Sequence, residues 1–313
     1  MLPRTYRFSC LILLLLLVGC CHIPDSEHYR NAYAHLEGPI PRHEHVKEPE
    51  YYVVFLVAAR HFDYQDTSTL LTTMVKKPTD GRKDGSVGHA WILLRGWEEG
   101  EEVVIEGGHS GELGVIQPKY AEGVMNLLHY GYLSPTPEER EHPRHEPNPI
   151  KYLWASQRDG HFEKKVTHEP TFAAMVPVTE EQFKRVKAFI DPENYPYHDY
   201  AITRNQCSNF VAKVGALIDF PIEHQVTIPV DQTMCVMGHE VKLYEDERYR
   251  EITLSVPDRV ERSLIEKVRE GEALYALEWY FKKYPERKQN PIARQWEDLC
   301  RFPERLQRLI LFR

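Results

Sequence analysis

The spacing of apolar positions changes several times along this chain, and each change marks an element. Tyr51 to Ala59 is apolar without a break and rich in Val, Phe and Tyr, the composition of a buried strand. Two more strands are expected at Gly88–Leu94 and Glu101–Glu106, joined by a turn around Glu98–Gly100, and another at Thr171–Val178. The period then lengthens to that of a helix. Thr179-Glu180-Glu181-Gln182 reads as a capping box opening a helix through Ile190, with Phe183, Val186 and Phe189 on one face. A second helix is expected over Asn205–Ile218, with Phe210, Val214 and Leu217 on one face. From about residue 257 the pattern is helical to the end, with Leu264, Ile265, Val268, Leu274 and Leu277 as its apolar stripe. Residues 76–86 read as a loop by their Pro and Gly content, and 134–149, with five Pro, as a loop or insertion. There is no internal repeat.

The N-terminus follows a different pattern. Arg4 and Arg7 precede an apolar run from Phe8 to Val18. At ~1.5 Å per residue that run is short for a hydrocarbon layer of ~30 Å, and it reads as a secretory leader. Its end, Leu17-Val18-Gly19-Cys20, resembles a bacterial lipobox. The resemblance implies removal of residues 1–19 and diacylglyceryl attachment to the Cys20 thiol. Cys21, not Asp, follows the lipidated position, so by analogy with lipoprotein sorting nothing retains the protein at an inner membrane. In a Gram-negative cell it would sit on the outer membrane facing the periplasm. Residues 20–50, rich in Pro, His and Glu, read as a tether.

Composition narrows the function. The chain has 313 residues, 42% hydrophobic and 27% charged, enough for a real core and too ordinary for wholesale disorder. Its formal net charge of −8 argues against a general nucleic-acid binder. The only membrane contact expected is through the lipid. Six cysteines do not make a disulfide scaffold. The clusters His43-Glu44-His45 and His142–His145 lack the spacing of a metal site, and no residue pattern calls for a metal or a cofactor.

Cys207 is the distinctive cysteine. With Asn205 as N-cap it would fall in the first turn of its helix, where unpaired N–H groups and the positive end of the dipole favour thiolate. Its own backbone N–H would point where an oxyanion develops. A thiol nucleophile needs a base within reach. His89, in Gly88-His89-Ala90-Trp91-Ile92, begins one expected strand; Glu106 and His109, in Glu106-Gly107-Gly108-His109-Ser110, end the next.

Together, "GHAWILL", "VVIEGGHSGE" and, much later, "YAITRNQCSNFV" resemble the circularly permuted branch of the NlpC/P60 papain-like superfamily, which includes the lecithin:retinol acyltransferase-like proteins. The resemblance covers roughly residues 50–225. It implies an α+β fold, an antiparallel sheet packed against helices, with the His strand before the Cys helix. It implies Cys207 as nucleophile and His89 as general base, with Glu106, or alternatively His109, orienting the imidazole. Tyr200 matches a Tyr often found upstream of the Cys; it and the Cys207 backbone are assigned to the substrate and oxyanion side. Phe210 and Val211 match the motif, whereas Asn205 is displaced by one and Ser208-Asn209 replace the acyltransferases' Glu-His, which speaks against retinol- or phospholipid-type acyl transfer. The domain plan is a leader at 1–19, a tether at 20–50, a permuted papain-like domain at 51–228 and a mostly helical extension at 229–313.

The expected activity is an envelope cysteine hydrolase acting on amide or peptide bonds, with peptidoglycan stem peptides as the common substrate and lipid acyl esters as the variant. Two other readings stay open: a catalytically silent papain-like domain that binds a peptide or envelope partner, and a structural lipoprotein of another fold in which Cys207 is inert or paired with Cys235 or Cys300.

Overall fold

The computed structural model describes residues 46–67, 69–70, 88–111, 160–164, 166, 168–201, 203–236 and 239–288, with backbone alone over 234–236 and 239–241. The leader, Cys20, Cys21, most of the tether, the two His-rich clusters and Cys300 lie outside these residues, as does the side chain of Cys235.

The fold is α+β. Its centre is a six-stranded antiparallel sheet in the order β10-β5-β1-β2-β3-β4. The strands are β1 (Tyr52–Ala58), β2 (His89–Glu98), β3 (Glu101–Gly111), β4 (Gly160–Lys164), β5 (Phe172–Pro177) and β10 (Leu274–Tyr275). Every residue of β1 is buried, because it lies mid-sheet with both faces covered, which explains its unbroken apolar run. β2 and β3 form a hairpin whose two loop residues, Glu99 and Gly100, both have positive φ, 52° and 85°. That turn matches the twist of the strands, and Gly100 adopts it freely.

Three helices cover one face: α1 (Glu180–Phe189), α2 (Cys207–Leu217) and α3 (Pro257–Glu270). Phe183 and Val186 of α1, Phe210, Val211 and Val214 of α2, and Val260 and Leu264 of α3 pack on Val53, Phe55 and Val57 of β1 and Ala90, Ile92 and Leu94 of β2. The opposite face carries Tyr52, Val54, Leu56, Trp91, Leu93 and Met175 under Tyr280 of α4 (Leu277–Lys283). Successive strand residues point to opposite faces, so this division fixes which side every site residue occupies.

The Thr179 capping box forms as expected: the Thr179 hydroxyl accepts from the Gln182 N–H and the Gln182 side chain accepts from the Thr179 N–H. The second helix begins later than expected. Asn205 does not cap it, because its side chain is taken by Tyr195, Lys213 and the Asp199 carbonyl. Gln206 is the N-cap, accepting from the Ser208 N–H at 2.8 Å, and Cys207 is the first helical residue.

The described residues after 228 form strands as well as helices. β6 (Gln225–Pro229) pairs with β9 (Glu251–Ser255), and β7 (Thr233–Val236) with β8 (His239–Lys242). α3 ends at Gly271, left-handed at φ 79°. Leu274, placed by periodicity on a helical stripe, instead pairs with Met175 at the sheet edge, and Ala276 N–H bonds the Ala173 carbonyl. α3 is tied to the exit of β1 by buried Asp258, which accepts from the Arg60 and Phe62 N–H groups and the Tyr64 hydroxyl. Among the described residues no helix is long and apolar enough to cross a membrane.

Candidate functional site

Cys207 sits at the N-terminus of α2, over the start of β2, 3% exposed. Its Sγ donates to Gln206 Oε1 at 3.0 Å and lies 3.8 Å from the Ser208 hydroxyl. Burial pushes the thiol pKa up; hydrogen bonds from the Ala90 backbone N–H and from Ser208 pull the other way without overcoming it. The expectation that helix position alone favours thiolate therefore meets a correction. Desolvation outweighs those N–H groups, and the sulfur is a neutral thiol at pH 7. Among the described residues Cys207 has no disulfide partner.

The N-terminal turn around it is clamped from below. The Gln206 side-chain amide donates to the Ser255 carbonyl, Asn209 Nδ2 donates to Ser255 Oγ at 2.8 Å, and Asn209 Oδ1 accepts from the Gln206 N–H. The last residue of β9 thus anchors both polar side chains that flank the thiol.

His109 lies on the same side of the sheet as Cys207. It pairs across strands with Phe162 of β4, and two residues before it Gly107 pairs with Ile92, which packs under α2. Its imidazole is fully buried in a collar of three tyrosines, Tyr195, Tyr197 and Tyr200, each edge-on with ring centroids 5.1–5.4 Å away. His109 Nε2 lies 2.7 Å from the Tyr197 carbonyl and Nδ1 lies 3.3 Å from the Tyr195 hydroxyl. Burial lowers its pKa to about 4, so the ring is neutral at pH 7. Tyr195 connects the two groups: a charge on Cys207 acts on its hydroxyl, whose pKa burial has already raised.

His89 points the other way. Its ring stacks on Trp91 at 5.7 Å, and its Nε2 lies 3.0 Å from where a Cβ on Gly108 would stand. Trp91 belongs to the α4 face. His89 is buried, its Nε2 has no hydrogen-bond partner among the described residues, and Glu163 Oε2 is 3.7 Å away. Burial, with His168 next to it, holds its pKa well below the ordinary value. The structure therefore puts the histidine chosen from the sequence as base on the face opposite α2.

Glu106 is also on the α4 face, paired with Leu93. Its carboxylate accepts from Tyr280 Oη at 2.6 Å, Arg287 Nη2 at 2.8 Å and Trp91 Nε1 at 3.2 Å. It fastens α4 and the turn at Pro285–Arg287 to the sheet, and none of those three partners is an imidazole. Tyr200 packs on His109 and against Gly111 and Gly160.

Sequence reasoning singled out Cys207, His109 and Tyr200, which the fold gathers on one face, and His89 and Glu106, which it puts on the other. It missed Tyr195, the Tyr197 carbonyl, Gln206 and Ser255. Three tyrosines within six residues just ahead of the cysteine helix were the available signal for the collar. Ser255, distant in sequence, gave none. Among the described residues no group of three His, Cys, Asp or Glu is placed to hold a metal ion.

No protein-family model, no curated protein and no solved structure matches this chain.

Proposed function

We propose that this protein is a papain-like cysteine hydrolase that forms an acyl-thioester on Cys207, held at the cell envelope by lipid on Cys20, and that it acts on amide bonds, those of cell-wall stem peptides first. The observation that carries the reading is the side of the sheet shared by Cys207 and His109: the thiol heads a helix whose N-terminal turn is clamped, and a buried neutral imidazole sits beside the same strand ends. The resemblance of "GHAWILL", "IEGGHSGE" and "NQCSNFV" to the permuted NlpC/P60 branch supports the same chemistry. In this reading His109, not His89, is the base. The S–H proton passes to the imidazole as sulfur bonds the substrate carbonyl carbon. The leaving amine departs with that proton, and water then releases the acid and the thiol. The Cys207 N–H, at the open end of α2, faces the developing oxyanion.

Turnover of muropeptides, compared with acyl esters, tests this. Loss of activity in Cys207→Ala and His109→Ala with retention in His89→Ala is expected. Full activity in Cys207→Ala overturns the reading; loss in His89→Ala with retention in His109→Ala overturns the choice of base.

A second reading has its own observation. The thiol is 3% exposed and protonated, and both ring nitrogens of His109 already face protein groups. A catalytically silent domain that binds a peptide would look the same. Iodoacetamide labelling separates the two: alkylation of Cys207 that follows an ordinary thiol near pKa ~8.5, unchanged in His109→Ala and without turnover, selects binding.

A further inference from the structure

The proton inventory around His109 says more about the site than its location does. A carbonyl oxygen only accepts hydrogen bonds, so the 2.7 Å contact between Nε2 and the Tyr197 carbonyl requires a proton on Nε2. The neutral ring then carries its lone pair on Nδ1. The nearest hydroxyl, Tyr195, has one proton, and Asn205 decides where it goes. Asn205 Nδ2 donates to the Asp199 carbonyl at 2.7 Å, which fixes the amide's orientation. Its Oδ1 then accepts from Tyr195 at 2.8 Å and from Lys213 at 3.1 Å. The Tyr195 proton is thereby committed to Asn205, and the 3.3 Å separation from Nδ1 leaves that lone pair without a donor among the described residues.

The close approach of the carbonyl depends on a glycine. A Cβ on Gly160 would come within 2.0 Å of the Tyr197 carbonyl oxygen and 2.8 Å of His109 Nε2. The first residue of β4 is bare where the ring and the Tyr197 carbonyl meet. The collar of tyrosine rings holds the ring plane, so orientation does not need a carboxylate.

Resting on the cysteine-hydrolase reading above, we infer that the orienting third member of the catalytic set is the main-chain carbonyl of Tyr197, not the Glu106 carboxylate, and that Nδ1 of His109 is the basic atom. Tyr195 is a positioning residue. Once Nδ1 carries the thiol proton, the Tyr195 oxygen 3.3 Å away can accept from the new N–H, because its own proton points to Asn205. The S–H bond breaks, the Nδ1–H bond forms, and the charge pair is thiolate and imidazolium.

The test uses the full chain labelled with ¹⁵N-histidine, with long-range ¹H–¹⁵N correlation at pH 7. The His109 pattern expected is Nε2 protonated and Nδ1 bare; a protonated Nδ1 overturns the inference while leaving Cys207 chemistry with another base intact. In Tyr195→Phe, which keeps the ring contact, kcat is expected to fall about tenfold with KM unchanged, and the His109 titration to move to lower pH. An unchanged pH profile removes Tyr195 from the set. If the tautomer is as expected but no Cys207-dependent turnover exists, the tautomer assignment stands and the hydrolase reading, with the catalytic role of the carbonyl, falls. Gly160→Ala is expected to lose the Nε2–H signature where it folds; retention of that signature shows that the close approach is not required.

Discussion

The two faces of the sheet hold the same kinds of residue and use them differently. On the α1–α3 face, His109 sits inside an aromatic shell in which Phe210 touches the rings of Tyr195, Tyr197, Phe162 and Phe189, and Cys207 heads the helix that carries Phe210. Both ionisable groups are buried and held neutral. On the α4 face, Glu106 and Arg287 form an ion pair at 2.8 Å, with Tyr280 and Trp91 as further donors. There the charges are paired and tie the C-terminal segment to the sheet. The α1–α3 face buries His109 and Cys207 uncharged, whereas on the α4 face the Glu106 carboxylate is paired and acts as a fastener. The difference teaches that a polar residue on a core strand gains its role from the face it points to more than from its type.

The largest break in this contrast should come from Phe210→Ala. Phe210 is fully buried at the centre of the shell, and truncating such a ring costs about 3–5 kcal/mol. A urea unfolding midpoint that barely moves would mean that the shell is not the packed unit described. Acid comes next. His109 has a folded-state pKa of about 4, below its unfolded value, and His89 is also depressed. Between those values the unfolded chain binds more protons than the folded one. Stability is therefore complete above the unfolded histidine pKa of ~6.5 and falls as pH drops toward 4, by on the order of 3 kcal/mol for His109 alone. Urea midpoints between pH 7 and pH 4 measure it, and His109→Gln should flatten part of the slope.

On the other face, Glu106→Gln should cost about 2 kcal/mol by weakening the bond to Arg287, while leaving the pH profile of Cys207 alkylation where it was. A shifted profile would return Glu106 to the reactive site and erase the contrast. The smallest effect belongs to neither face's core: Thr179→Ala, removing the α1 cap, should lower stability by about 1 kcal/mol in thermal melts, with Cys207 reactivity untouched.

Much of the fold was legible because local signals agreed. The unbroken run of β1, the Thr179 capping box and the turn at Glu99-Gly100 each depend on residues within a few positions. The start of α2 lies two residues later than its pattern suggests because Asn205, an excellent N-cap by type, is drawn off by Tyr195 and Lys213, contacts that residue type and periodicity do not reveal. The helical reading of the tail failed at Leu274 for a similar reason: Gly271 ends the helix and an open edge of β5 captures the next residues.

The sequence by itself determined the candidate residues, Cys207, His89, His109 and Glu106, and that they flank strands and open a helix. It could not decide which of them share a face of the sheet. Strand side chains alternate faces, so His109 and Glu106, three residues apart, point to opposite sides. Only the packing of α1–α3 on one side and α4 on the other turned that alternation into a face shared by Cys207 and His109 and a face where Glu106 holds the C-terminal segment.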